Sequence, residues 1–363
     1  MPADVPITRI SASAFTIPTD APESDGTIAW DHTTLVVVEI DAGGKTGLGY
    51  TYADRAAADL VRRTLASQLE GRDAFAIEAH GAAMNAQVRN IGRPGIAACA
   101  ISALDIALWD LKARLLDVSL ARLLGSARES VPVYGSGGFT SYDNARLRGQ
   151  LACWVEEGCA FVKMKIGREP ARDIARVGVA KAAIGDTALF VDANGGYTRK
   201  QALAFAEQFA DYDVRWFEEP VSSDDLDGLR LLRDRAPGTM DIAAGEYGYT
   251  PHYFHTMLAA DAVDVLQADA TRCGGITGFL RAAALCDGFQ IPLSSHCAPA
   301  IHLAAAIAAP RLAHMEWFHD HVRIEHMLFE GAPTLRNGRI SPDWSAPGHG
   351  LVFRRSDATP YEA

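Results

Sequence analysis

Seven ionisable residues recur along the chain at nearly constant intervals: Lys165, Asp192, Glu218, Glu246, Asp269, His296 and Glu316. The intervals are 27, 26, 28, 23, 27 and 20 residues, each close to one strand plus one helix. Asp192, Glu218 and Glu246 are three successive acids with no cysteine among them. They offer hard oxygen donors, the ligand set that suits Mg²⁺. Asp269 and His296 form a second unit, because a carboxylate accepting from one imidazole nitrogen fixes the tautomer and makes the other nitrogen a better base. In FVKMKIG, Lys163 and Lys165 are two apart and share one face of a strand, while Val162, Met164 and Ile166 take the other. Two ammonium groups beside a divalent cation repel one another, so a neutral lysine able to act as a base near neutral pH is expected.

The bland readings are weaker. A single strand-end Asp often caps the next helix, but three acids one unit apart are not explained by capping. A KxK pair often lies on a solvated edge strand, but here the apolar alternates need a helix layer. Glu219 follows Glu218 directly and is expected to point the other way, as a partner behind the ligands. His314, His319, His321 and His326 could suggest a soft metal site; no HxxxH pair accompanies them, and only His314 and His319 are expected near the site. The stretch Ala42–Gly49 has a superficial likeness to a phosphate loop, but Glu39 stands where that loop needs its first glycine.

To converge, these residues must sit at the ends of strands in one layer. Eight short strands are predicted: Val131–Ser136, Phe161–Ile166, Ala188–Ala193, Val214–Glu219, Met240–Glu246, Val263–Asp269, Ile291–His296 and Arg311–Trp317. Most are separated by an Ala-rich segment of helix length. That alternation predicts a (β/α)8-type barrel with its active site at the C-terminal ends of the strands. An open doubly wound sheet is disfavoured, since no Gly-rich dinucleotide fingerprint appears. Before the barrel, Ile7–Ile17, Thr34–Ile40 and Gly49–Tyr52 read as a small antiparallel meander. Ala53–Leu124 reads as helical, with Ile96–Leu116 its clearest helix and Gly125 its stop. Pro18–Thr33, which contains Trp30, reads as a polar loop and candidate lid. After Gly331 the tail is rich in turns, and Pro347–Phe353 has room for a short strand returning to the first domain.

Composition sets the outer limits. The chain has 363 residues, 48% hydrophobic and 22% charged, enough for a large core and inconsistent with disorder. Its net charge of −11 argues against nucleic acid or an anionic membrane as a partner. No apolar run is long enough for a membrane span. Met1–Ile10 lacks the pattern of a secretory leader. The six cysteines form no CxxC pair and read as small buried hydrophobes, consistent with a reduced, cytoplasmic protein.

The motif set KMK (Lys163–Lys165), VDANGGY (Val191–Tyr197), WFEEP (Trp216–Pro220), AAGE (Ala243–Glu246), QAD followed by CGGITG (Cys273–Gly278), SSH (Ser294–His296) and HME ending at Glu316 resembles the enolase superfamily, within it the mandelate racemase subgroup. The resemblance spans nearly the whole chain. It implies an α/β fold: a modified (β/α)8 TIM barrel, (β/α)7β, over 126–331, with an α+β capping domain over 1–125 completed by the tail, about 332–363. It implies one Mg²⁺ per site on Asp192, Glu218 and Glu246, and Lys165 and the His296–Asp269 dyad as the two acid/bases. Lys163 and Glu316, the latter protonated, would hold the substrate carboxylate. Asn194, Ser136 and Trp30 are further expected substrate contacts. The implied chemistry is abstraction of a proton α to a carboxylate through an enediolate, most commonly in dehydration of an acid sugar to a 2-keto-3-deoxy acid. Racemisation or epimerisation of an α-hydroxy acid is the alternative, and a non-catalytic metal-binding barrel a distant third. A homo-oligomer is also implied.

Overall fold

The computed structural model describes residues 4–363. Strand β1 (Ile7–Ser24) pairs antiparallel with β2 (Ala29–Ala42), which pairs antiparallel with β3 (Lys45–Tyr52). The helix Ile96–Leu115 lies across this sheet and buries most of its length. It can approach because β3 presents glycines: a Cβ on Gly49 would fall 2.2 Å from the Ala103 carbonyl oxygen, and one on Gly47 would fall 2.3 Å from that of Ala107. The helix ends near its expected stop, and Gly125 closes the next short helix, Leu120–Leu124, at φ +87°.

The expectation of a long loop over Pro18–Thr33 is overturned. β1 runs on to Ser24 and β2 begins at Ala29, with a register irregularity between Pro18 and Glu23. Asp25 closes the tip, its side chain accepting from the backbone N–H groups of Thr27 and Ile28 at 2.6 and 2.8 Å. Residues 18–24 hide their strand character because the irregularity breaks the alternation by which a strand is read. The tip rests on the barrel: a Cβ on Gly26 would sit 2.2 Å from the Ala193 carbonyl oxygen and 2.8 Å from that of Ile166.

Eight parallel strands follow: β4 (Val131–Gly137), β5 (Phe161–Lys165), β6 (Ala188–Asp192), β7 (Val214–Glu218), β8 (Asp241–Ala244), β9 (Val265–Ala268), β10 (Leu293–Ser295) and β11 (Leu312–Phe318). Each pairs with the next, and β11 pairs with β4, so the sheet closes into a barrel. Val162, Met164 and Ile166 pack outward into the main core, as the alternation predicts. The floor of the interior is aromatic, with Tyr134, Phe190 and Trp216 clustered together. Lys163, fully buried, lies directly over it, its Nζ 5.3 Å from the Tyr134 ring centroid. Four barrel helices have side-chain N-caps of their own, from Asp143, Thr198, Asp225 and Thr250. Each is worth about 0.5–2 kcal/mol. The strand-end acids are therefore not needed as helix caps.

The helix after β11, His319–Leu328, is tied to the first sheet. Thr33 Oγ1 donates to Asp320 at 2.5 Å, Arg323 to the Pro18 carbonyl at 2.7 Å, and Tyr50 Oη to Glu325 at 2.6 Å. The tail does form a short strand, Val352–Phe353, but its partner is Phe329–Glu330. That strand still reaches the first domain, with Phe353 packing on Phe15 of β1 at 5.4 Å between ring centroids, and Ala363 N donates to the Ala14 carbonyl at 3.0 Å. No helix among the described residues is long and apolar enough to cross a membrane.

Candidate active site

Register places the functional groups at one height. Lys165 is the Cα partner of Asp192, and Asp192 of Glu218. Glu246, Asp269 and His296 lie one or two residues beyond the ends of β8, β9 and β10, where the strands open into the mouth. All seven predicted ionisable groups converge there, each 5% exposed or less.

One oxygen each from Asp192, Glu218 and Glu246 can be chosen so that all lie within 4.8 Å of one another. Two buried carboxylate oxygens close by, Glu246 Oε2 and Glu219 Oε1, have no hydrogen-bond partner. Burial and the charge of Asp192 push Glu218 well above the usual carboxylate range, and burial and the charge of Glu246 do the same to Glu219. Four acids this close, all with oxygen donors and two with orphaned atoms, fit a hard divalent cation. Glu219 lies just past the end of β7 in a left-handed conformation, φ +38°, and feels the charge of Glu246.

The lysines sit among these acids. Lys163 Nζ is 2.7 Å from Glu218 Oε1, 2.8 Å from Glu316 Oε1 and 3.4 Å from Asp192 Oδ2. Lys165 Nζ donates to Asp192 Oδ2 at 2.5 Å. Burial works against the ammonium forms, but the surrounding carboxylates outweigh it and raise both lysines. The same contacts bring Asp192 down to about 2, against its burial. The neutral Lys165 expected from sequence thus requires those carboxylate charges to be taken up by a cation. Glu316 also departs from expectation. Despite burial, Lys163 and His296 hold it well below the usual carboxylate range, so it is ionised rather than protonated. Its Oε1 accepts from Ser136 Oγ at 2.6 Å and its Oε2 from the Cys297 N–H at 2.6 Å.

The imidazole pair is formed as predicted. His296 Nδ1 lies 2.8 Å from Asp269 Oδ2, and Asp269 Oδ1 accepts from the Thr271 N–H and hydroxyl, both at 2.7 Å. Burial would raise Asp269, but His296 and Arg272 hold it well below its ordinary value. His296 Nε2 faces the metal-ligand candidates, 3.2 Å from Glu246 Oε2.

A cavity of about 390 Å³ opens above these groups. Trp30 and Asn194 line it, as expected. Trp30 is oriented by donating Nε1–H to Glu23 at 2.8 Å, and Asn194 carries an unpartnered buried Oδ1. Ser136 does not line it; its hydroxyl is fully buried and spent on Glu316. Nor is His314 near the mouth. It packs within the aromatic floor, 4.9 Å from the Tyr134 ring centroid. His319 pairs with Asp20 at 3.2 Å, and it is His321 that reaches the cavity, stacked on Tyr52 at 3.4 Å between centroids. Sequence reasoning also missed Arg272 and Cys297. Arg272 lies three residues past Asp269, donates to the Glu246 carbonyl at 3.2 Å, and has Nε 3.6 Å from Asp269 Oδ2. Adjacency to His296 was the available signal for Cys297.

Known proteins share this fold. The profile for "Mandelate racemase / muconate lactonizing enzyme, N-terminal domain" matches residues 13–125, and that for "Enolase C-terminal domain-like" matches 146–358. The 3,6-anhydro-alpha-L-galactonate cycloisomerase of Streptomyces coelicolor is 34% identical, over 96% of this chain and 97% of its own. The L-talarate/galactarate dehydratase of Salmonella typhimurium is 32% identical, over 89% of this chain and 81% of its own. A structure of a variant of that dehydratase, holding Mg and L-glucarate, superposes with a TM-score of 0.91 at 28% identity, covering 99% of this chain and 93% of the other. A mandelate racemase/muconate lactonizing enzyme-like protein from Rubrobacter xylanophilus superposes with a TM-score of 0.96 at 53% identity, covering 99% and 100%. The chain belongs to the mandelate racemase/muconate lactonizing enzyme family and is an enzyme of the enolase superfamily.

Proposed function

We propose that the enzyme abstracts the proton α to the carboxylate of an acid sugar and expels the β-hydroxyl, giving a 2-keto-3-deoxy acid after tautomerisation. The observation that carries this reading is the flanking of one acid trio by two bases. Lys165 stands at the Asp192 end, 2.5 Å away, and His296 at the Glu246 end, 3.2 Å away. Asp192, Glu218 and Glu246 would hold Mg²⁺, which supplies positive charge for the oxygens of the substrate carboxylate. Lys163 binds that carboxylate, and Glu316, ionised and held by Ser136 and the Cys297 N–H, positions the Lys163 ammonium rather than meeting the substrate anion itself. Either Lys165 or His296 takes the α-proton, and the negative charge moves onto the carboxylate as an enediolate. The other base, protonated, delivers its proton to the departing hydroxyl. Asp269 keeps His296 in the tautomer with a free Nε2. Trp30 and Asn194 contact the sugar chain, and the β1–β2 tip excludes water.

The relatives' substrates and the hydroxyl-tolerant, partly aromatic cavity support an acid sugar. Reprotonation on the opposite face would give an epimer instead, and the presence of two bases favours this as the second reading. Retention of both bases argues against a non-catalytic barrel. The proposal takes the chain as a capping domain, 1–125 with about 332–363, on a catalytic barrel, 126–331; residues 1–3 lie outside the described residues. It also takes the protein as cytoplasmic and without nucleic-acid or membrane partners, which the net charge of −11 and its free cysteines support, and as a homo-oligomer, which rests on the family resemblance alone.

The test is incubation with an acid-sugar library in D₂O containing Mg²⁺, read by NMR. We expect at least one acid to exchange its α-proton and yield a 2-keto-3-deoxy product, with both abolished by a chelator. Failure of every acid to exchange would sink the reading.

A further inference from the structure

Cys297 lies beside the reactive face of His296. Its Sγ is 3.2 Å from His296 Nε2, and it lines the cavity mouth. Glu316 Oε2 lies 4.0 Å from the same nitrogen. A ligand atom from each of these three residues can be chosen so that all lie within 4.8 Å of one another. A tetrahedral Zn²⁺ with S and N ligands at about 2.3 and 2.0–2.1 Å would set them about 3.5 Å apart, so the sulfur–nitrogen spacing needs little adjustment. The His296 Nδ1–Asp269 contact supplies the carboxylate–histidine support usual behind a metal-bound imidazole. Glu246 Oε2, buried without a hydrogen bond and already assigned to the oxygen trio, lies 3.2 Å from Nε2, so the two clusters meet at His296.

We propose that His296, Cys297 and Glu316 form a second, inhibitory site for a thiophilic divalent cation of the Zn²⁺ class, separate in chemistry from the oxygen-only Mg²⁺ trio. Binding forms a metal–sulfur bond and releases the thiol proton to solvent. It also occupies the Nε2 lone pair, which must be free to accept the α-proton. The trio prefers a hard ion, and the N/S/O set a softer one. The proposal rests on the reading of His296 as a base for its inhibitory effect, but not for binding.

The test separates the two. Co²⁺ is titrated into the Mg²⁺-saturated enzyme and followed in the near-ultraviolet, where thiolate–cobalt charge transfer absorbs and carboxylate-bound cobalt does not. The background is Cys153→Ser, which removes the exposed cysteine. We expect one equivalent of band, lost in Cys297→Ser and in Cys297→Ala, with Zn²⁺ affinity measured by competition falling at least about 10-fold. No band, or a band that survives in both variants, overturns the proposal. Zn²⁺ inhibition relieved fully by excess Mg²⁺ would place the ion in the trio and also overturn it. A band in an enzyme that turns over no acid sugar upholds this site while defeating the proposed function.

Discussion

The substitution Asp269→Asn should trap His296 in the wrong tautomer, and the reason lies in a neighbouring hydrogen bond. Asp269 Oδ1 accepts from both the N–H and hydroxyl of Thr271, at 2.7 Å each. The backbone N–H cannot turn away, so the amide introduced by Asp269→Asn must put its oxygen there. Its NH₂ then occupies the Oδ2 position, 2.8 Å from His296 Nδ1, and Nδ1 must become the acceptor. The ring proton moves to Nε2, which can no longer take a proton from substrate. Losing one general base costs about 10²–10⁴ in rate, about 3–5 kcal/mol in barrier. The loss should fall only on the α-proton served by His296, because Lys165 lies at the other end of the trio. The assay is α-proton exchange in D₂O for each configuration of an α-hydroxy acid, with ¹⁵N spectra of labelled histidine reporting the tautomer. Full exchange for both configurations with Nε2 protonated would refute the role of His296. Exchange lost for both would refute the separation of the bases.

Three other outcomes follow from the geometry. Gly26→Ala must move the β1–β2 tip off the Ala193 and Ile166 carbonyls, at a cost of about 1–3 kcal/mol in docking; KM should rise while thermal unfolding of the barrel changes little, and unchanged kinetics would make the tip a passive arm. Glu23 is raised from 4.5 to about 8 by burial and then by the charge of Asp320. Its folded-state pKa lies above the unfolded value, so its contribution is full below about pH 4.5 and lost as pH rises through about 8, with an upper bound of about 5 kcal/mol. Glu23→Gln should therefore flatten the fall in Tm across that window, and an unaltered fall would exclude Glu23 as its source. Asp192→Asn should severely weaken Mg²⁺ binding in titration calorimetry, since a hard ion prefers charged oxygen; full affinity would remove Asp192 from the ligand set.

The catalytic groups were legible because a parallel barrel places one strand terminus per βα unit, and spacing alone therefore aligns Lys165, Asp192, Glu218, Glu246, Asp269 and His296. The inward face of Lys163 and Lys165 was legible from the apolar alternates between them. Charge states were not. The ionisation of Glu316 depends on Lys163 and His296, which come from separate parts of the chain. The β1–β2 arm was hidden because its irregularity removes the period-two signal. His314 and His321 exchanged places relative to expectation: one sits low on β11 among aromatics, while the other is carried up to the cavity by the following helix. Arg272 reaches the site through the length of its side chain, which spacing does not encode.

The central claim is that two bases serve opposite faces of one α-carbon, and paired exchange measurements on Lys165→Ala and His296→Asn test it most directly. For one configuration of an α-hydroxy acid, Lys165→Ala should abolish α-proton exchange while the other configuration still exchanges. His296→Asn should give the mirror image, each loss being about 10²–10⁴-fold. If either variant lost exchange equally for both configurations, or kept it for both, the two-base site would be wrong, and His296 would be reduced to an acid for the leaving hydroxyl.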